Sequence, residues 1–263
     1  MICIESGFSG IAAALNTPRI GGFPIAGTAA GSTEATGYSA ANAQGVETYT
    51  FWRPTAMPAT WTLTFTATSP VSYFGIAAHD LATQGCTVEY QTLVSGVWTT
   101  RLTHTPTDNQ PIFGLVAQRS LTAARLRFTG ATAPTIGVIF FGDVTEFPQR
   151  AAYTGRSDWQ DLITDEYRTN AADGGAVIGR YVARKSQPVT LSVSHLSEMW
   201  KAATLDPLLS HLRLNPVFAA ERPSDFPKSV IFGYATKQPV PTRDIAKADV
   251  AVSVSIEFSG HVA

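Results

Sequence analysis

From Trp61 to Gly142 the chain keeps returning to one pattern, and that pattern restricts the fold more than anything else in the sequence. The runs "WTLTFTA", "VSYFGIAA", "CTVEYQTL", "GVWTTRLT", "ARLRFTG" and "TIGVIFFG" are short, rich in Thr, Val, Phe and Tyr, and separated by Gly, Pro, Ser and Asn. Side chains alternate across a strand, and β-branched and aromatic residues suit a pleated surface, so such runs read as antiparallel strands joined by turns. The expected fold class is therefore mainly β, beginning with a β-sandwich. In "WTLTFTA", Trp61, Leu63 and Phe65 fall on one face and Thr62, Thr64 and Thr66 on the other, which makes Trp61 a core residue.

The texture changes over "GDVTEFPQRAAYTGRSDWQDLITDEYRTNAADGGAVIGR", Gly142 to Arg180, where polar residues and Gly displace the apolar repeats. This is a boundary or an extended arm, and "DGGAVIGR" within it reads as a flexible turn. Beyond it, "QPVTLSVSHL" is a strand and "SEMWKAATLDPLLSHLRL" has apolar residues at helical spacing, with Ser197 as N-cap. Pro207 is expected to kink or split this helix, because it lacks an N–H and its ring meets the preceding turn. Strands return as "PVFAAER", "SVIFGYAT" and "VAVSVSIEFSG", the last with Val250, Val252, Val254, Ile256 and Phe258 facing inward. Two domains follow: 1–148, a β-sandwich with an N-terminal extension, and 149–263, β-rich with a helix near 197–213.

Composition removes several function classes. The chain has 263 residues, 44% of them hydrophobic and 15% charged, the balance of a packed globular protein. Lys+Arg of 19 against Asp+Glu of 20 gives a net charge of −1, so no global field draws nucleic acid or anionic lipid. No apolar run approaches the ~20 residues that span a bilayer, and "MICIESGFSGIAAAL" lacks the basic start of a signal peptide. Neither membrane insertion nor a nucleic-acid partner is expected, and folding in the cytoplasm is. Cys3 and Cys86 lie far apart and belong to no metal-spaced cluster, so both are read as free thiols.

Chemistry is sparse. His79, His104, His195, His211 and His261 form no metal spacing, and there is no nucleophile elbow, dinucleotide fingerprint or phosphate loop. The expectation is a protein that is not an enzyme, with no catalytic residues, no metal and no cofactor; His195 is read as a histidine at a strand end. Binding is a better prospect, because a sandwich presents loops at one end. Trp52, Arg53, His79 and Asp80 fall in such loops and are the candidate glycan or contact residues. An exposed Trp52 would offer a platform to the apolar face of a sugar, with Arg53 as donor and Asp80 as acceptor. The alternatives are a loop anchor packed under the sandwich for Trp52 and a turn-closing hydrogen bond for His79 and Asp80.

The loop "GSTEATGYSAANAQG", then "TFWRP", "WTLTF", "VSYFGIAAHDL", "CTVEYQTLVSGVWTT", "ARLRFTG" and "TIGVIFFGD" follow one another in an order that resembles the discoidin, or coagulation factor type C, galactose-binding-like sandwich. The resemblance covers about Ala26 to Asp143. The acidic turn common after the Trp-led strand is missing from "TLTFTA", so no calcium site is carried over. Over most of the chain, "LNTPRIG", "EYQTLVSGVW" and "FAAERPSDFPKSVIFGY", closed by "VAVSVSIEFSG", look like tail-tip or baseplate structural proteins of tailed bacteriophages, of the distal-tail type. This implies a virion component in a phage tail, assembled in the host bacterial cytoplasm. Its partners would be copies of itself in a homo-oligomeric ring, other phage tail proteins and a host surface saccharide. It also implies that "FAAERPSDFPKSVIFGY" forms a hairpin of two aromatic strands. A stand-alone lectin-like protein is the alternative, and an enzyme with an unrecognised site is the third reading.

Overall fold

A computed structural model describes residues 1–8, 16–152, 158–244 and 251–262. Two sheets carry the fold. The first is seven-stranded, in the order β3-β4-β7-β5-β6 with β8 beside β4 and β1 parallel to β7. Its strands are β1 (Ile2–Ile4), β3 (Gly27–Gly31), β4 (Ala59–His79), β5 (Thr87–Val94), β6 (Val97–His104), β7 (Ile112–Thr129) and β8 (Ile136–Gly142), numbered in a series in which β2 (Arg19–Gly21) belongs to the second sheet.

"WTLTFTA" and "VSYFGIAA", read as separate strands, are two halves of β4. The ladder between β4 and β7 shifts register between Thr64 and Ser69 and again between Val71 and Tyr73. Around these breaks the sheet closes on itself as a sandwich. Trp61 and Phe65 from the first half of β4 pack on Phe141 of β8, with ring centroids 5.9 and 6.5 Å apart. Tyr90 of β5 stacks on Phe74 from the second half of β4 at 5.3 Å. Trp61 is fully buried and donates its indole N–H to the Ala40 carbonyl at 2.9 Å, as its place in the alternation predicts. Ala40 belongs to a short 3-10 turn, Ala40–Gln44, in the "SAANAQ" loop, where Asn42 Nδ2 donates to the Phe51 carbonyl at 2.9 Å.

The second sheet runs β10-β11-β15-β13-β12-β2-β9, with β14 on β15. Its members besides β2 are β9 (Thr145–Glu146), β10 (Thr164–Ala171), β11 (Val177–Ser197), β12 (Val217–Ala220), β13 (Val230–Ala235), β14 (Thr242–Asp244) and β15 (Ala251–Gly260). β12 and β13 form the expected antiparallel hairpin. Val252, Val254, Ile256 and Phe258 point inward as their alternation requires, while Val250 lies outside the described residues. Strands β2 and β9 fall before residue 149 yet pair in this second sheet, so the division at 148/149 does not coincide with the division between sheets.

The helix runs as Glu198–Trp200, a π-helical stretch Lys201–Leu205, and Asp206–Leu212. Ser197 caps it, its hydroxyl accepting from Trp200 N–H at 3.2 Å. Pro207 neither breaks nor splits the helix. The wider turn immediately before it absorbs the missing donor, with Asp206 N–H reaching the Lys201 carbonyl. Leu205, Leu208, Leu209 and Leu212 cover one face of the second sheet together with Trp159 and Phe147.

The other face of that sheet meets the first. Phe218 of β12 lies 6.1 Å from Phe113, 5.6 Å from Phe140 and 4.7 Å from Phe232. Tyr73, Ala77, Leu115 and Val138 complete this apolar seam. The layer explains why β8 and β4 beyond Val71 are buried at every residue: one face lines the sandwich interior and the other lines the seam. At the seam's edge Arg19, 1% exposed, forks onto Glu146 with N–O distances of 2.9 and 3.1 Å.

Candidate functional site

The four residues singled out from the sequence gather around one point, the start of β8. Trp52 and Ile136 exchange both backbone hydrogen bonds, at 2.8 and 3.0 Å, and His79 pairs with Ile136 from the opposite side. Asp80 takes the next place, its N–H donating to the Thr135 carbonyl at 3.3 Å. Arg53 is tied to the "ATGY" turn, donating to Tyr38 and accepting from Ala35.

Meeting in space does not make these residues a sugar site. Trp52 is fully buried, which corrects the expectation of an exposed platform. Its bridge to Ile136 turns the ring inward onto Phe128, 5.7 Å away, and its Nε1 donates to the Thr33 carbonyl at 3.3 Å. Gly31 lies against the ring so closely that a Cβ there would sit 2.6 Å from Nε1. The loop-anchor alternative is the one realised.

His79 is buried as well. Its Nδ1 accepts from Leu81 N–H at 3.4 Å, so Nε2 carries the proton and donates to the Gln110 carbonyl at 3.1 Å. Burial pushes this imidazole down to about 4, the nearby backbone and carboxylates opposing only in part, and it is neutral at pH 7. Asp80 spends one oxygen on Thr135 N–H at 2.7 Å and the other on Gln84 Nε2 at 3.0 Å. Both residues close turns. Arg53 is the one of the four that stands exposed. The arrangement locks loops together; it offers a ligand one guanidinium and no aromatic face.

His195 sits in a β-bulge of β11 with φ of 62°, its Nδ1 2.9 Å from Ser194 Oγ. Cys3 and Cys86 are free and buried, and burial pushes the Cys3 thiol up to about 12. Among the described residues no three His, Cys, Asp or Glu side chains converge as metal ligands would.

A different element stands exposed. β10 and the first half of β11 form an antiparallel hairpin whose residues are exposed along nearly its whole length. Tyr167, Val177, Ile178, Tyr181 and Val182 are all in contact with solvent, Ile178 at 72% exposure. Arg180 lies 3.9 Å over the Tyr167 ring, and Arg184 pairs with Glu166 across the strands. The tip is the "ADGGA" turn, closed by Ala172 N–H to the Ala176 carbonyl at 2.8 Å, with Gly175 at φ 81°. The extended arm anticipated between Gly142 and Arg180 is thus a hairpin at the C-terminal end of that stretch; 153–157 lie outside the described residues. The signal that marks it is Asp-Gly-Gly between runs of Tyr, Thr, Val and Ile.

No protein-family model matches the chain. No curated protein matches it either. Solved structures do. A pectin-binding carbohydrate-binding module is similar at 13% identity and a TM-score of 0.40, with 46% of this chain and 93% of that chain covered. Chitosan-binding module 1 of a chitosanase/glucanase from Paenibacillus sp. IK-5 is 18% identical with a TM-score of 0.41, covering 46% and 97%. The family 32 module of C. perfringens NanJ, in complex with galactose, is 17% identical with a TM-score of 0.38, covering 45% and 93%.

Proposed function

We propose that the chain is a structural subunit of a phage tail tip or baseplate, closing with copies of itself into a ring through the β10–β11 arm. In this reading the arm crosses to the neighbouring subunit, the helix-backed sheet forms the body of the ring, and the first sandwich faces outward. There it serves as a contact module toward other tail proteins or a host surface saccharide.

The observation that carries the reading is the arm. A two-stranded ribbon is marginally stable alone in water, and an edge strand such as β10 leaves a row of N–H and C=O groups unpaired. Exposed Ile178, Val177 and Tyr181 add apolar surface that a neighbour would cover. In a closed ring every arm meets the same receiving surface on the next subunit, head to tail, and none is left over. The phage context is supported by the sequence resemblance of "LNTPRIG" and "FAAERPSDFPKSVIFGY". A stand-alone lectin is the weaker reading, because Trp52, its expected platform, is buried.

Electron microscopy of virions carrying the chain tests this. Rings in which the hairpin reaches the adjacent subunit are expected, and shortening residues 165–185 to a Gly-Ser turn should leave tails arrested without the ring. A single copy per tail, or absence from the virion, would overturn it.

A further inference from the structure

Along the seam between the two sheets, the loop at 46–49 faces the ends of β13 and β15 across a cleft of about 390 Å3. Its floor is Phe232, Gly233 and Gly260, the two glycines opposite one another in the ladder. No side chain fits there: a Cβ on Gly233 would lie 2.1 Å from the Ser259 carbonyl oxygen. Tyr49 and Tyr234 stand on the two sides, 77% and 46% exposed. Rings of this size carry much apolar surface, and two of them left open beside one hollow are better suited to covering a ligand than to supporting this chain's own core.

The polar groups of the lining narrow the ligand. Besides the two phenol hydroxyls they are the Glu47 carboxylate, the Thr48 and Ser259 hydroxyls and the His261 imidazole, with no lysine or arginine among the described lining residues. Glu47 is held in place, its Oε2 accepting from Val46 N–H at 3.1 Å. The loop is shaped for this, since a Cβ on Gly45 would come within 2.2 Å of that same oxygen. Burial lowers the proton affinity of His261 and favours the neutral ring, which donates and accepts.

We infer that this cleft binds a neutral saccharide. A pyranose has apolar C–H faces for Tyr49 and Tyr234 and hydroxyls that donate to Glu47 and exchange hydrogen bonds with Thr48, Ser259 and His261. An anionic ligand would meet the carboxylate with no cation to offset it. An alkylammonium would use the rings and Glu47 but leave the hydroxyls and the imidazole without a role. Ligand pockets run from about 300 to 1,000 Å3, so this cleft suits one or two sugar rings. Because one wall is the loop that precedes β4 and the other belongs to the second sheet, the site exists only where the two are assembled. It is independent of the arm and of ring closure, and it deepens the proposed saccharide contact by giving it a place.

The test is saturation-transfer NMR on the full chain with the methyl glycosides of glucose, galactose, N-acetylglucosamine and N-acetylgalactosamine, and with choline as a separate probe. At least one glycoside should bind. Tyr49→Ala and Tyr234→Ala should each weaken it about tenfold, the weight of one aromatic contact, and Glu47→Gln should weaken it too, while Tyr38→Ala leaves it unchanged. Both tyrosines are exposed, so their alanine variants should fold, which circular dichroism checks. Failure of every glycoside to bind at millimolar concentration, binding untouched by the Tyr49 and Tyr234 changes, or binding of choline alone would overturn the inference. None of these outcomes bears on ring assembly, which electron microscopy reads separately.

Discussion

Phe218 lies flat against the backbone of Gly75: a Cβ at position 75 would sit 2.4 Å from ring atom Cε2. The two sheets meet here, and the glycine is what lets the ring approach. Gly75→Ala should cost roughly 1–3 kcal/mol, the usual penalty for overfilling a packed layer. Phe218→Leu in the same chain should recover part of that loss. Urea melts of the two single variants and the double variant measure the coupling, expected at about 0.5–3 kcal/mol for residues in contact; strictly additive losses would mean the seam is not packed as described.

Trp52 and Trp61 both belong to the core of the first sandwich, so Trp52→Ala and Trp61→Ala should destabilise the full chain to a similar extent, each by roughly 3–5 kcal/mol. Each loss also leaves a carbonyl, that of Thr33 or Ala40, without its indole donor. Equilibrium denaturation decides the matter, and a Trp52 variant as stable as the parent would return that residue to the surface.

Acid should weaken the fold well above the carboxylate range. His79 takes a proton in the folded state only near pH 4, whereas an unhindered histidine does so near 6.5. Between those values the unfolded chain binds a proton that the folded chain excludes. Stability therefore falls as pH drops from about 6.5 toward 4 and levels off below, where both states are protonated, for a loss of about 3 kcal/mol from this residue. His104, His211 and His261 are pushed in the same direction by burial. Melting temperature against pH should flatten in His79→Gln; an unchanged profile would exclude His79 as the source.

Ile178→Asp places a charge on the exposed arm and touches neither core. Chain stability should change by less than about 0.5 kcal/mol, as for other surface positions. Incorporation into particles should drop sharply, because the new carboxylate would have to be buried against a neighbour. Thermal melts and electron microscopy of the same variant separate the two effects.

What the sequence revealed depended on whether a residue's surroundings were local. Trp61 was legible because Thr62 and Thr64 mark the opposite face as wet. Trp52 was not, because its burial rests on a bridge to Ile136, far along the chain. The runs "VSYFGIAA" and "TIGVIFFG" were recognisable as strands, but their second buried face is covered partly by Phe218 and Phe232, which nothing nearby announces. The arm was legible only as a polar stretch, and its strands stayed hidden for the opposite reason. With both faces in water they have no apolar periodicity, and only the Asp-Gly-Gly turn gave them away. The helix and its Ser197 cap were readable from spacing and capping alone, since both are properties of adjacent turns.

The pairing of β2 with β12 also sets an order of events. Arg19 finds its partner strand at Ala220, far along the chain, so during synthesis β2 must wait until β12 has emerged. The strands of the first sheet from β3 to β8 follow one another without such a delay and can close while translation continues. The second sheet is a late, long-range assembly, slow by its topology. Until it forms, the aromatic surface around Phe113 and Phe140 stays open to solvent, and that interval is when the nascent chain is most in need of a chaperone.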